Sequence, residues 1–165
     1  MAVQVGSARI DERSKAKGGK AGDNNGKEVS TQNWYKHSKG WVLIRPKSPE
    51  LGKHIAWCMK KACANDNIGY DQNQRDTLYK AAKPFDFDVT KVTTPVETDC
   101  SALVRVCVLY GFKKLGITAE LGSFSTGTQV SHLRATKQFD ILTASKYVNQ
   151  STYLRAGDIL VTATK

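Results

Sequence analysis

Apolar residues in this chain recur with two different spacings, and the change of spacing marks the elements. Trp41-Val42-Leu43-Ile44-Arg45 before Pro46 predicts a short extended segment. Ser48-Pro49-Glu50 then reads as a helix start, with a capping hydroxyl, a proline in the first turn and an acid at the positive end of the dipole. Leu51, Ile55, Cys58, Met59 and Ala62 follow at helical spacing, with Lys53, Lys60 and Lys61 off that stripe, which predicts a helix from Pro49 to about Ala64. Asn65 to Gly69 ends it, and Asp71 is placed to cap a second helix running to about Ala82, near Pro84. Phe85, Phe87 and Val89 alternate with Asp86 and Asp88, the pattern of a short extended piece with one apolar face.

The run Ser101-Ala102-Leu103-Val104-Arg105-Val106-Cys107-Val108-Leu109-Tyr110 is apolar nearly all round. It reads as a helix buried on most sides, capped by Asp99 and Thr98 and stopped by Gly111. Ser125 to Leu133 predicts a further short helix, Phe139–Leu142 a strand, Tyr153–Asp158 a turn, and Ile159–Thr162 a last strand. Residues 1 to about 30 are polar and glycine-rich, with tight turns at Gly18-Gly19 and Gly22–Gly26. The tryptophans that follow mark this opening as an ordered lead-in. The expectation is an α+β chain, one domain over residues 1–165, with four helices packed on the start of an antiparallel sheet.

Composition narrows the class. A chain of 165 residues with 40% hydrophobic residues can bury a core without staples. Nothing approaches the ~20 apolar residues of a spanning helix, so membrane insertion is not expected. The opening Met1 to Gly6 is not followed by an apolar run, which predicts synthesis in the cytoplasm without a signal peptide. A net charge of +10 favours an anionic partner. Basic residues are spread along the chain without aromatic-basic interleaving, which argues against a nucleic-acid binder. No C-x-x-C pair accompanies the scattered His37, His54 and His132, so no metal site and no cofactor are expected; Asp86 and Asp88 lack a third ligand.

Four cysteines differ in context. Cys58, Cys63 and Cys107 fall on apolar stripes and read as small buried hydrophobes. Cys100 stands at a helix start, where free backbone N–H groups and the macrodipole favour a thiolate and can hold an oxyanion.

Asp99-Cys100-Ser101-Ala102-Leu103-Val104 resembles the D-C-S-G-L-V nucleophile motif of the NlpC-type cysteine peptidases, a papain-like family that cuts peptides of bacterial cell walls, with Ala102 in place of the glycine. Leu154-Arg155-Ala156-Gly157-Asp158-Ile159-Leu160 resembles its later L-x-x-G-D-[LI] signature, and Ile68-Gly69-Tyr70 its upstream tyrosine segment. The chain as a whole is similar to peptidoglycan amidohydrolase modules of phage and prophage lysins, through stretches such as Ala8–Glu12, Gly26–Val29 and Cys63–Arg75.

This resemblance implies a papain-like fold and a cell-wall lytic amidohydrolase or endopeptidase acting on peptidoglycan at the wall. Cys100 would attack the amide carbonyl, Tyr70 would line the cleft, Asp99 would cap, and Ser101 would leave room for a substrate chain. The family's histidine lies in a G-H segment shortly after the strand that matches Ile159–Val161. Only His132 follows Cys100 here, as a weak substitute base, so the sequence reads as cut short of the last strands. That leaves Ile159–Thr164 as a strand with unpaired groups, a route to a homodimer. The alternative is a catalytically inactive wall-binding module that uses the same cleft and its basic surface, also toward anionic wall polymers.

Overall fold

The computed structural model describes residues 2–163. The elements are β1 (Gln4–Ala8), β2 (Val29–Asn33), β3 (Trp41–Pro46), α1 (Pro49–Cys63), β4 (Ile68–Tyr70), α2 (Thr77–Ala82), β5 (Val96–Thr98), α3 (Cys100–Leu115), α4 (Gln129–Ala135), β6 (Phe139–Leu142), α5 (Ser145–Val148) and β7 (Ile159–Thr162). The class is α+β, as the sequence implies. A three-stranded antiparallel sheet has the order β6-β3-β7; β1 and β2 form an antiparallel hairpin, and β4 and β5 a parallel pair.

The core lies where α1 crosses α3 against one face of the sheet. Leu51, Ile55, Cys58 and Ala62 of α1 meet Leu103, Val106, Cys107 and Phe112 of α3, and Ile44, Phe139 and Ile159 close the layer from the strands. The helix starts are built as their sequences require. The Ser48 hydroxyl accepts from the Leu51 N–H at 3.3 Å, and the Asp99 carboxylate from the Ala102 N–H at 2.9 Å. Asp158 of the Gly-Asp turn accepts two hydrogen bonds from Arg45, at 3.0 and 2.8 Å, and one from the Arg155 N–H at 2.8 Å. This pair fastens the turn to β3 just before β7 begins.

Several expectations need correction. Gly111 does not stop α3. It lies under Leu51, in a gap too tight for a side chain, and the helix continues to Leu115, closing at Gly116 with φ +67°. Asp71 caps only a single 3₁₀ turn over Gln72–Gln74, and α2 begins after Asp76. Phe85 to Val89 is not extended. Asp86 and Phe87 take left-handed φ of 53° and 66°, which turns the chain so that Phe87 is buried while Phe85 stays in solvent. A fifth short helix, α5, follows β6. The polar lead-in supplies β1 and β2, and the loop between them is tied by carboxylates. Asp11 accepts from the Arg13 and Lys15 N–H groups at 2.8 Å, and the buried Glu28 accepts from the Asn24 and Tyr70 N–H groups. Along β7 one edge is paired with β3, so only the other is free of partners among the described residues; Thr164 lies outside them.

The lead-in crosses β4 at backbone contact. A β-carbon on Gly69 would overlap the Gly22 carbonyl oxygen, and Gly22 itself takes φ +82°. Two glycines are needed there, one for room and one for backbone conformation.

Candidate active site

Cys100 is the first residue of α3, directly after β5, where a cleft of about 610 Å³ opens. Gln72, Asn73 and Arg75 form one wall, Ser125, Thr126 and Gly127 the other, with Lys17 and Thr162 at the margins. The thiol is half-buried, and its sulfur lies 3.4 Å from the Thr126 hydroxyl. A hydroxyl at that distance can donate to a thiolate.

Arg75 organises the site. Its guanidinium donates to both Asp99 oxygens, at 2.6 and 3.0 Å, to the Ser101 hydroxyl at 2.8 Å, to the Phe124 carbonyl at 2.7 Å and to the Ser123 hydroxyl at 2.9 Å. One side chain thereby joins the α3 cap to the 121–125 loop that leads into Thr126. The Asp99 hydrogen bonds, and its charge, raise the Arg75 pKa above the ordinary arginine value. Because Asp99 also accepts from the Ala102 N–H, the first turn of α3 is fixed at its outset, with the Cys100 backbone at the mouth of the cleft.

The other candidates separate. Asp99 caps, as expected. Ser101 is largely buried at the cleft lining, and its hydrogen bonds to Arg75 and Asp99 also tie it to the cap. Tyr70 is buried on β4, and its hydroxyl accepts from the Gln72 amide at 3.0 Å. Burial raises its pKa, and the nearby Cys100 and Asp99 raise it further, so it stays a neutral phenol beneath the cleft wall. His132 lies on α4; its Nδ1 is 2.9 Å from the Thr128 carbonyl, its ring packs on Phe124, and it does not line the cleft. His37 and His54 do not line it either. Among the described residues, no three His, Cys, Asp or Glu side chains are grouped to hold a metal ion.

Sequence reasoning missed Arg75 and Thr126 as site residues. Arg75 stands 24 positions before Asp99 with no local signal of the pairing. Thr126 is visible in the sequence only as part of a helix start. The remaining cysteines are unsuited to attack: Cys58 and Cys107 are fully buried, contact with Cys58 and burial raise the Cys107 pKa, and burial pushes the Cys63 thiol up to about 11.

The site is thus a capped helix that presents the Cys100 thiol to an open cleft within an α+β module. Residues 5–165 match the family model of the endolysin-like domain (ELLD), and the chain belongs to that family. No curated protein and no solved structure matches it. Family membership points to a phage-lysin role in cell-wall lysis, with peptidoglycan as the fitting substrate class. No helix among the described residues is long and apolar enough to cross a membrane.

Proposed function

We infer that the chain is a cysteine amidohydrolase or endopeptidase of peptidoglycan, of the NlpC-type papain-like kind, with Cys100 as nucleophile. One observation carries this reading: the cysteine that lines the cleft is also the one at the start of a capped helix. The Cys100 sulfur would attack a stem-peptide carbonyl lying in the cleft. The free N–H groups at the α3 terminus would hold the oxyanion, and the Thr126 hydroxyl would stabilise the sulfur before attack. Arg75, through Asp99 and Ser101, acts as a positioning residue. The proton on the leaving amine needs a donor, and the resemblance gives that role to a histidine on a strand next to β7.

A second reading, an inactive wall-binding module, is favoured by one specific observation: none of the three histidines lines the cleft. One experiment separates the two. Turbidity of purified Gram-positive walls is followed with the chain and with Cys100→Ala, each with and without added imidazole as a diffusible base. Clearing that depends on Cys100, whether imidazole-assisted or not, supports the enzyme. Wall binding without Cys100-dependent clearing in either condition supports the binding module.

A further inference from the structure

Away from the cleft, α1 and α3 present a second chemical surface. On α1, His54, Trp57 and Lys61 fall at i, i+3 and i+7 and so share one stripe. On α3, Tyr110 and Lys114 are one turn apart. The Trp57 ring stacks on Tyr110, with centroids 5.1 Å apart and planes inclined by 18°, and Trp57 remains 36% exposed. Lys61 Nζ stands 5.7 Å from the Trp57 ring centre, Lys114 Nζ 5.6 Å from that of Tyr110, and His54 meets Tyr110 edge-on at 6.1 Å. Lys60 and Lys113 are exposed on the adjoining turns. The neighbouring acids are already engaged. Glu50 pairs with Lys53 at 3.3 Å, and Asp88, which lies close to Tyr110, accepts from the Thr90 N–H and hydroxyl. The result is a flat aromatic step bordered by cations.

We propose that this step is a docking surface for an anionic wall polymer built of polyol- or sugar-phosphate units. Such a polymer carries two features the surface can read at once. The C–H face of a polyol or sugar packs on the exposed Trp57 ring through dispersion. The phosphates on either side meet Lys61 and Lys114, held at the ring faces by cation–π contact. The net charge of +10 supplies long-range attraction, and the surface supplies a register for repeating units. The proposal rests on the wall-directed role of the family and is independent of Cys100 chemistry.

The test uses the Cys100→Ala chain, so that walls stay intact, and measures co-sedimentation with Gram-positive walls before and after hydrofluoric acid removes their phosphate polymers. Retention at low salt should fall about tenfold on stripped walls and should weaken as salt screens the lysines. The triple variant Trp57→Ala/Lys61→Gln/Lys114→Gln should bind intact walls no better than stripped ones, while an unchanged Cys100 alkylation rate, read without the Cys100→Ala change, shows the fold is kept. If loss of Trp57 unfolds the chain, Lys61→Gln/Lys114→Gln alone should still lower retention about threefold. Purified poly(glycerol phosphate) should compete for binding more strongly than duplex DNA at equal phosphate. Equal retention on stripped walls, wild-type retention by the variants, or equal competition by DNA overturns the assignment. A failed lysis assay leaves each of these outcomes readable.

Discussion

Replacing Glu97 by glutamine should remove most of a pH dependence that the native chain carries through neutrality. Glu97 sits on β5, three residues before Cys100, and is 3% exposed. One carboxylate oxygen, Oε2, has no hydrogen-bond partner. Burial, followed by the charges of Asp71, Glu28, Glu12 and Asp11, raises its pKa from 4.5 to about 8. The unfolded chain releases this proton near the ordinary value, whereas the folded chain holds it to about pH 8. Between those two values the folded state binds more protons, so stability falls as pH rises, by at most about 1.4 kcal/mol per pH unit. Below that window the group makes no difference. Spread over the window and reduced by local relaxation, the loss amounts to a few kcal/mol. At a urea slope of about 2 kcal/mol/M, this is a midpoint shift on the order of 1 M. Urea unfolding of the wild-type chain and of Glu97→Gln, at half-unit steps from pH 5 to 9, measures it. The variant should gain on the wild type steadily up to about pH 8 and then run parallel to it, because its amide is neutral at every pH and brings donors into surroundings rich in acceptors. Midpoint curves that stay parallel from pH 5 to 8, within about 0.2 M, would refute the assignment of a raised Glu97 pKa.

Other perturbations test the frame of the site. Arg75→Ala leaves the Asp99 carboxylate without its cationic partner, with only the Ala102 N–H and the Ser101 hydroxyl still donating to it, and should cost about 3 kcal/mol; a double-mutant cycle with Asp99→Asn should show coupling of at least about 1 kcal/mol in chemical unfolding. Arg45→Met alone should destabilise on the same scale, since it strands the buried Asp158; the pair Arg45→Met/Asp158→Leu should recover much of the loss. Gly69→Ala should cost about 3 kcal/mol or more, because its β-carbon has nowhere to go against the Gly22 carbonyl; a thermal melt checks this. In the folded chain iodoacetamide near neutral pH should modify Cys100 well ahead of Cys63, with Cys58 and Cys107 protected until unfolding, as peptide mapping over time will show.

Features set by near neighbours in sequence are legible from the chain alone. The capping hydroxyl of Ser48 and the carboxylate of Asp99 bond to N–H groups three residues on, so both helix starts can be read from their own turns. The strands Phe139–Leu142 and Ile159–Thr162 announce themselves by short apolar runs. What remains hidden depends on distant partners. The three-residue strands β4 and β5 exist because they pair in parallel with each other, and neither has a pattern of its own. The lead-in reads as ordered from the tryptophans that follow it, but the carboxylates that hold it by accepting backbone N–H groups carry no signal of that role. Phe85 to Val89 shows the opposite case: the burial alternation is partly right, but two left-handed residues make it without a strand. At the site, Cys100 and its cap are readable, while the Arg75 clamp and the Thr126 hydroxyl are assembled only by the fold.

The crossing of Gly22 over Gly69 bears on the order in which the molecule assembles. The two positions are separated by β2, β3 and α1, so their contact closes a long loop and gains nothing until the α1 and α3 layer has formed. The lead-in should therefore dock late and open early, as a unit of lower stability than the helical core. Its backbone covers β4, which pairs with β5, and β5 leads straight into Cys100. Amides of residues 9–28 should exchange with solvent faster than those of α3, and any ligand that seals this flap should slow exchange in β4 and β5 together, linking the nucleophile's footing to a segment far from it in the chain.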